Sequence, residues 1–324
     1  MDIDPDRDLT PVQRLTRDLR NASKTLGPQE ARYLVDAYYQ MQRDRIRAAH
    51  QMRTLAEGAE PNLVVQWLAD QTETLEKQLK GALGRYAEGS TEGQWLLSIC
   101  GIGPVIAAGM ICHIDVDRAK TASAVWRYAG LDPTVKWGKG QKRPWNGDLK
   151  RLCFLLAESF VKVKAREGSV YAPLYDIRKQ RETERNEAGL YAETAAASLR
   201  EKKFGEDTQA RKHYEAGRLP PARLHMRAMR YAVKVFLAHY HSVATWCRNG
   251  VLPPVPYALD GKAHVHLIAP PHMEGVPGMA DAWKARSSQL GLATVEVAEF
   301  AARFLSHPIE RASAAEIERE PSAL

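Results

Sequence analysis

The chain has 324 residues, with 46 Lys and Arg against 39 Asp and Glu, a formal net charge of +7. A hydrophobic content of 44% is enough to build a core and excludes wholesale disorder, while the basic balance favours a polyanionic partner. No apolar run approaches the ~18 residues of a membrane span, and the acidic start (Asp2, Asp4, Asp6, Asp8) lacks the apolar stretch of a signal peptide.

In chain order, residues 1–10 read as a solvated tail. A short amphipathic helix is predicted from Pro11 to Leu26, ended by Gly27-Pro28. A long helix follows over Gln29–Glu57. Its positions Leu34, Tyr38, Met41, Arg45, Ala48, Met52 and Leu55 keep heptad spacing with one flaw, Arg45. Pro61 turns the chain, and Leu68, Thr72, Leu75, Leu79, Ala82 and Tyr86 carry the rhythm through a second helix over Leu63–Tyr86. Residues 11–92 are therefore an antiparallel helical hairpin, coiled-coil-like, and a candidate surface for homo-oligomer formation.

Residues 96–114 are the most informative stretch. An apolar run enters Gly101-Ile102-Gly103-Pro104 and a second apolar helix starts at once. The glycines permit a sharp turn and Pro104 suits the first position of a helix. The turn would aim backbone N–H groups at an anion. This is the helix-hairpin-helix pattern. A short helix at Thr121–Ala129 and a strong helix over Asp148–Ala165 flank an irregular stretch rich in proline and glycine. Residues 166–222 are polar and helix-rich, and a further helix is predicted over Ala222–Cys247. Ala263–Ile268 alternates like a short strand, and a last helix is predicted near Thr294–Leu305. The fold class is mainly α: a long helical hairpin, then a helical domain containing the helix-hairpin-helix, with a short strand near the C-terminus. The boundaries expected are 1–10, 11–92, 93–252 with an insertion at 183–222, and an irregular extension at 253–324.

Two cationic clusters carry candidate chemistry. Lys136, Lys139, Lys142, Arg143, Lys150 and Arg151 face one acid, Asp148, with Trp137 and Trp145 interleaved. Cations with aromatics on a flexible loop suit a nucleic-acid backbone with bases stacked nearby. On the 222–247 helix, Arg223, Arg227, Arg230 and Lys234 follow steps of four, three and four residues and share one face. Such a stripe repels itself unless a bound anion or acids from elsewhere in the fold lie along it. Ala228, Tyr231, Val235 and Ala238 are the expected buried face. Cys100, Cys112, Cys153 and Cys247 form no Cys-x-x-Cys pair and read as reduced core thiols of a cytoplasmic protein. His264, His266 and His272 lack the carboxylates or cysteines that would complete a metal site, and His239 and His241 make no chelate on a helix. No metal or cofactor is expected.

The order of these features resembles a known family. Ile99–Pro104 is followed by Trp126-Arg127-Tyr128-Ala129-Gly130-Leu131-Asp132-Pro133, then a basic glycine-containing loop and Gly147-Asp148-Leu149-Lys150. The last piece is Arg227–Lys234. The pattern is similar to the C-terminal domain of the DEDD-type insertion-sequence transposases. The resemblance covers residues 96–180 and 222–247. It implies a DNA recombinase fold, an N-terminal resolvase-like domain with four metal-binding acids, a coiled coil, and a C-terminal domain whose serine attacks DNA. It also implies oligomers acting on DNA, in some cases with a guide RNA. Two departures stand out. The region before the hairpin is helical, so the resolvase-like domain is expected to be absent. No serine lies between Ser123 and Ser159, and Thr134 is the one aliphatic hydroxyl there. The expectation is a transposase-like DNA-binding protein without autonomous strand cleavage. Its contacts are Gly101, Gly103, Lys136, Lys139, Lys142, Arg143, Lys150, Arg151, Arg223, Arg227, Arg230 and Lys234. An active recombinase using a partner's or unrecognised active site, with Mg2+, and a helical oligomeric scaffold stay open as alternatives.

Overall fold

A computed structural model describes residues 14–58, 63–135, 137–138, 140–254, 266–297 and 299–300. Among them are twelve α-helices and two short strands, so the chain is mainly α as the periodicity predicts. It divides into two compact units. One comprises residues up to Leu97 with Gly103–His113; the other comprises Ser98–Ile102 and everything from Ile114 onward.

The first unit is built on the helical hairpin. After α1 (Arg17–Ala22) come α2 (Pro28–Glu57) and α3 (Leu63–Glu88). Pro28 takes the first position of α2, and the Gly27 N–H donates to the Glu30 carboxylate at 2.8 Å, a reciprocal cap that fixes the helix start. Tyr38 and Ala48 of α2 and Ala69, Thr72 and Ala82 of α3 are buried on the seam. The flaw at Arg45 has a partner: Arg45 donates to Glu76 at 2.6 and 3.3 Å, and Gln42 reaches both Glu76 and the Tyr38 hydroxyl. Burial opposes ionisation of Glu76, but the adjacent Arg45 guanidinium holds its carboxyl below the usual range. Toward the other end of α3 apolar side chains come to the surface: Leu63, Val64 and Trp67, with the heptad positions Leu68 and Leu75, are exposed. Helix α5 (Pro104–His113) packs on both α2 and α3. Helix α4 (Thr91–Ser98) starts beside the end of α3, where Gly93 leaves no room for a side chain; a Cβ there would lie 1.9 Å from the Ala87 carbonyl oxygen.

The second unit centres on α11 (Pro221–Asn249), against which α6 (Ala122–Tyr128), α7 (Gly147–Lys162) and α8 (Ala172–Glu187) pack. Its core stacks Phe160, Tyr171, Phe236 and Tyr240. Because α11 is covered on several sides, its buried positions extend well beyond the predicted face. Ala228 is buried, whereas Tyr231, Val235 and Ala238 are only half-buried, and Leu224, Ala232, Val233, Phe236, Leu237, Tyr240, Val243 and Ala244 are deep. Helices α9 (Ala192–Glu201) and α10 (Gln209–Glu215) enclose a small separate core of Ala195, Tyr214, Leu219 and Leu224.

Beyond α11 the expectations need correction. Strand β1 (His266–Ile268) pairs in parallel with β2 (Ala293–Val295), with α12 (Met279–Leu290) between them. The predicted helix at Thr294–Leu305 thus begins as a strand, and helix follows at Val297, Glu299 and Phe300. Thr294 and Val295, β-branched, sit in the ladder opposite Leu267 and Ile268. Residues 301–305 of that expectation, and Ala263–Val265 of the predicted strand, lie outside the described residues. The imidazole of His239 ties the ladder to α11. Its Nε2 donates to the Ile268 carbonyl at 3.1 Å, which leaves Nδ1 to accept from the Tyr171 hydroxyl at 2.9 Å. Burial lowers the His239 pKa to about 4, so the ring is neutral in this role. His241 donates to the Ala119 carbonyl instead. Cys112 and Cys153 are buried, their thiols pushed up to about 12 by desolvation, but Cys247 is exposed near the end of α11 and is not a core thiol. No described helix is long and apolar enough to cross a membrane.

Candidate nucleic-acid interface

The site is assembled in the second unit from the end of α6, the loop after it and the start of α7. Helix α6 stops at Gly130, whose φ of +66° is the left-handed region. The Leu131 N–H returns to the Trp126 carbonyl at 2.8 Å and the Gly130 N–H to that of Arg127 at 3.1 Å, closing the helix end. Gly130 is required a second time by packing: a Cβ there would lie 2.7 Å from the Trp145 ring and 3.0 Å from the Lys150 stem. Trp145 is thereby laid against the end of α6. Asn146 then caps α7 by accepting from the Leu149 N–H at 2.8 Å. Its backbone N–H donates to the Tyr128 carbonyl and its side-chain amide to the Tyr128 hydroxyl, both at 2.9 Å.

The result is an open cavity of about 390 Å³ lined by Tyr128, Lys142, Arg143, Pro144, Trp145 and Asn146. Trp137 meets Trp145 edge to face at 6.2 Å. The Arg143 guanidinium lies 5.4 Å from the Trp137 ring centre, and the Lys150 ammonium 4.2 Å from that of Trp145. Among the described residues, Lys142, Arg143 and Lys150 form no ion pair with a carboxylate. Lys136 and Lys139, predicted for the same cluster, lie outside the described residues; Arg151 is exposed on α7.

The α11 stripe divides. Arg227 donates to Glu182 at 2.6 Å, and Arg178 pairs with the same carboxylate at 2.6 Å. Burial opposes the charge on Glu182; Arg178, Tyr191 and Arg227 outweigh it and hold the carboxyl below its ordinary value. Arg223 donates to the Ser198 hydroxyl at 2.7 Å and to the Tyr214 hydroxyl at 3.3 Å. These two arginines thus have partners within the protein. Arg230 is different: its guanidinium reaches the Met226 carbonyl of its own helix at 3.3 Å and no described carboxylate. Lys234 is buried, its amine 4.3 Å from the Trp126 ring centre, while the Trp126 indole donates to the Lys234 carbonyl at 2.9 Å. Burial lowers the Lys234 pKa to about 8, against the pull of Asp132 and with the push of Arg230 and Arg178.

Electrostatic coupling joins the loop to the stripe. Burial lowers the Lys150 pKa, and the charges of Arg230 and Arg143 lower it further. Burial and the charges of Arg227 and Arg223 lower that of Arg230. Lys150 on α7, Arg143 in the loop and Arg230 on α11 therefore share one field. The hairpin glycines sit differently. Gly101, φ +96°, is packed on α7, where a Cβ would lie 3.1 Å from Val163 and 3.3 Å from Phe160, and its carbonyl accepts from the Ser159 hydroxyl at 2.6 Å. Gly103 has open space where a side chain would be.

Residues 93–152 match the family model of the IS116/IS110/IS902 transposases. The chain thus contains a transposase-related segment, running from the start of α4 through the Gly101–Pro104 turn, α5, α6 and the basic loop into the first turns of α7. Comparison with curated proteins and with solved structures gives no match.

Sequence reasoning missed Tyr128, Asn146 and Glu182. Tyr128 and Asn146 carried a local signal, the segment before Gly130 and a cap residue before an apolar helix. Glu182 carried none, because its role depends on α8 packing along α11.

Proposed function

We propose that this transposase-like protein binds nucleic acid through its second unit, holding phosphates with Lys142, Arg143, Lys150 and Arg230. One observation carries the reading: burial, with the nearby charges of Arg230 on α11 and Arg143 in the loop, lowers the pKa of Lys150 on α7, and no described carboxylate pairs with any of the four cations. The α7 N-terminus, the positive end of its dipole, adds to the same field; Arg143 lies so close to Gly147 that a Cβ there would meet it at 2.8 Å. Such crowding costs stability in the free protein and is relieved by a polyanion. Lys136 and Lys139, which lie outside the described residues, are kept as contacts on the sequence alone.

The protein does not cleave strands by itself. Thr134 offers the hydroxyl nearest the expected nucleophile position, and it donates to the Asp132 carboxylate at 2.7 Å within a two-residue turn. Cleavage is assigned to a partner because no serine lies between Ser123 and Ser159. Self-association uses the exposed apolar residues of α3, Leu63, Val64, Trp67 and Leu68.

A supercoiled-plasmid assay with magnesium, beside a low-salt binding titration, tests this. Binding without nicking is expected. Nicking with a covalent protein–DNA adduct would overturn the non-cleaving role, and failure to bind would overturn the whole reading.

A further inference from the structure

The Trp137–Trp145 depression has features that phosphate contact alone does not require. Trp137 is 43% exposed and Tyr128 40% exposed; Tyr128 lines the cavity with Lys142 and Arg143, and Trp137 adjoins it through its edge contact with Trp145. Neither ring is loose. The Trp137 indole donates to the Gln141 carbonyl at 2.7 Å, and the Gln141 side chain accepts from the Gly138 N–H at 3.2 Å, so the loop folds back to hold the ring. Tyr128 is held by Asn146 at 2.9 Å. The cavity, about 390 Å³, is within the range of sites that enclose small organic groups.

We propose that this depression is a clamp for an unpaired nucleotide, taking one base against Trp137 while Lys142 and Arg143 hold the flanking phosphates. The inference rests on the nucleic-acid reading and adds to it the kind of strand recognised. A duplex presents phosphates and base edges, but its ring faces are stacked on their neighbours. Away from the duplex ends, only an unpaired base has a face to offer to an exposed indole. A site for duplex alone needs Lys142 and Arg143 but gains nothing from holding Trp137 in the open. Arg143 lies over one face of the indole, so the base would take the other face, with the guanidinium within reach of the phosphate of the stacked nucleotide.

Fluorescence anisotropy with the full chain tests this, using a blunt duplex, the same duplex with a single-stranded overhang, and that overhang without its bases. Deoxy and ribo overhangs tell which chain type supplies the nucleotide. Wild type should prefer the base-bearing overhang. Trp137→Ala should lower affinity for it by about 5- to 150-fold, the loss of one base–aromatic stack, and leave the blunt duplex unchanged. Trp137→Phe should restore most of the loss, and an unchanged thermal midpoint for both variants checks that the fold is intact. Equal binding of the base-bearing and baseless overhangs, or an equal loss on both duplexes in Trp137→Ala, would overturn the clamp while phosphate binding stands. No binding to any substrate at low salt would overturn both.

Discussion

Arg227 on α11 donates to the Glu182 carboxylate on α8 at 2.6 Å, and Glu182 has no exposed surface at all. This pair determines which part of the cationic stripe faces outward chemically. Two arginines, Arg178 and Arg227, share one buried acid and are held by it inside the fold, so the cations without a described carboxylate partner lie further along, at Arg230 and toward Lys150. Glu182→Gln should leave both guanidinium groups buried against a neutral amide. Breaking a buried pair in this way costs about 3–5 kcal/mol. The folded carboxyl is held below its ordinary value, so its contribution is complete above the ordinary glutamate range and is lost as pH falls through the folded value. Urea denaturation near neutral and at acid pH should show the variant much weaker than wild type at neutral pH, with the gap closing in acid.

Lys234 gives the opposite end of the pH scale. Its folded pKa is about 8 against an ordinary 10.5, so the unfolded chain binds more protons between those values. Stability should therefore rise with pH across that window, as the buried amine sheds a charge that the fold disfavours. Lys234→Met keeps the unbranched stem over Trp126 and removes the charge. The variant should be at least as stable as wild type near pH 7 and should lose this part of the alkaline rise. The check is a pair of denaturation curves below pH 8 and near pH 10; an identical pH dependence in the two proteins would refute the assignment.

Gly130 links backbone and site. Its left-handed φ alone costs any other residue about 1–2 kcal/mol, and a methyl group there would also lie 2.7 Å from Trp145. Gly130→Ala should destabilise the protein and move Trp145 off the end of α6. A changed tryptophan emission spectrum together with a lower thermal midpoint is expected. A lower midpoint with an unchanged spectrum would mean that Trp145 does not depend on this contact.

Much of this arrangement was legible along the chain, because it depends on local signals. The Gly27-Pro28 break and the heptad rhythm locate α2 and α3, Gly130 marks the end of α6, and Gly147-Asp148 the start of α7. What escaped depends on residues far apart. The heptad flaw at Arg45 is explained only by Glu76 on the opposing helix. The stripe at Arg223, Arg227, Arg230 and Lys234 reads as one surface on a helical projection, yet α8, α9 and α6 each take a member of it. Strand β2 escaped because three residues pair with a ladder partner 27 positions away, His266 with Ala293 at its start. Helix α12 could have been found: Gly278 and Gly291, both at positive φ, bracket it.

The central claim, that phosphates are held by the loop and Arg230 but not by the internally paired arginines, is tested most directly by the salt dependence of nucleic-acid affinity. Lys142→Ala/Arg143→Ala should reduce the slope of log affinity against log salt by about two, and Arg230→Ala by about one. Arg223→Ala should leave the slope unchanged, because that guanidinium is engaged by Ser198 and Tyr214. A slope that falls in Arg223→Ala but holds in the loop and Arg230 variants would contradict the account.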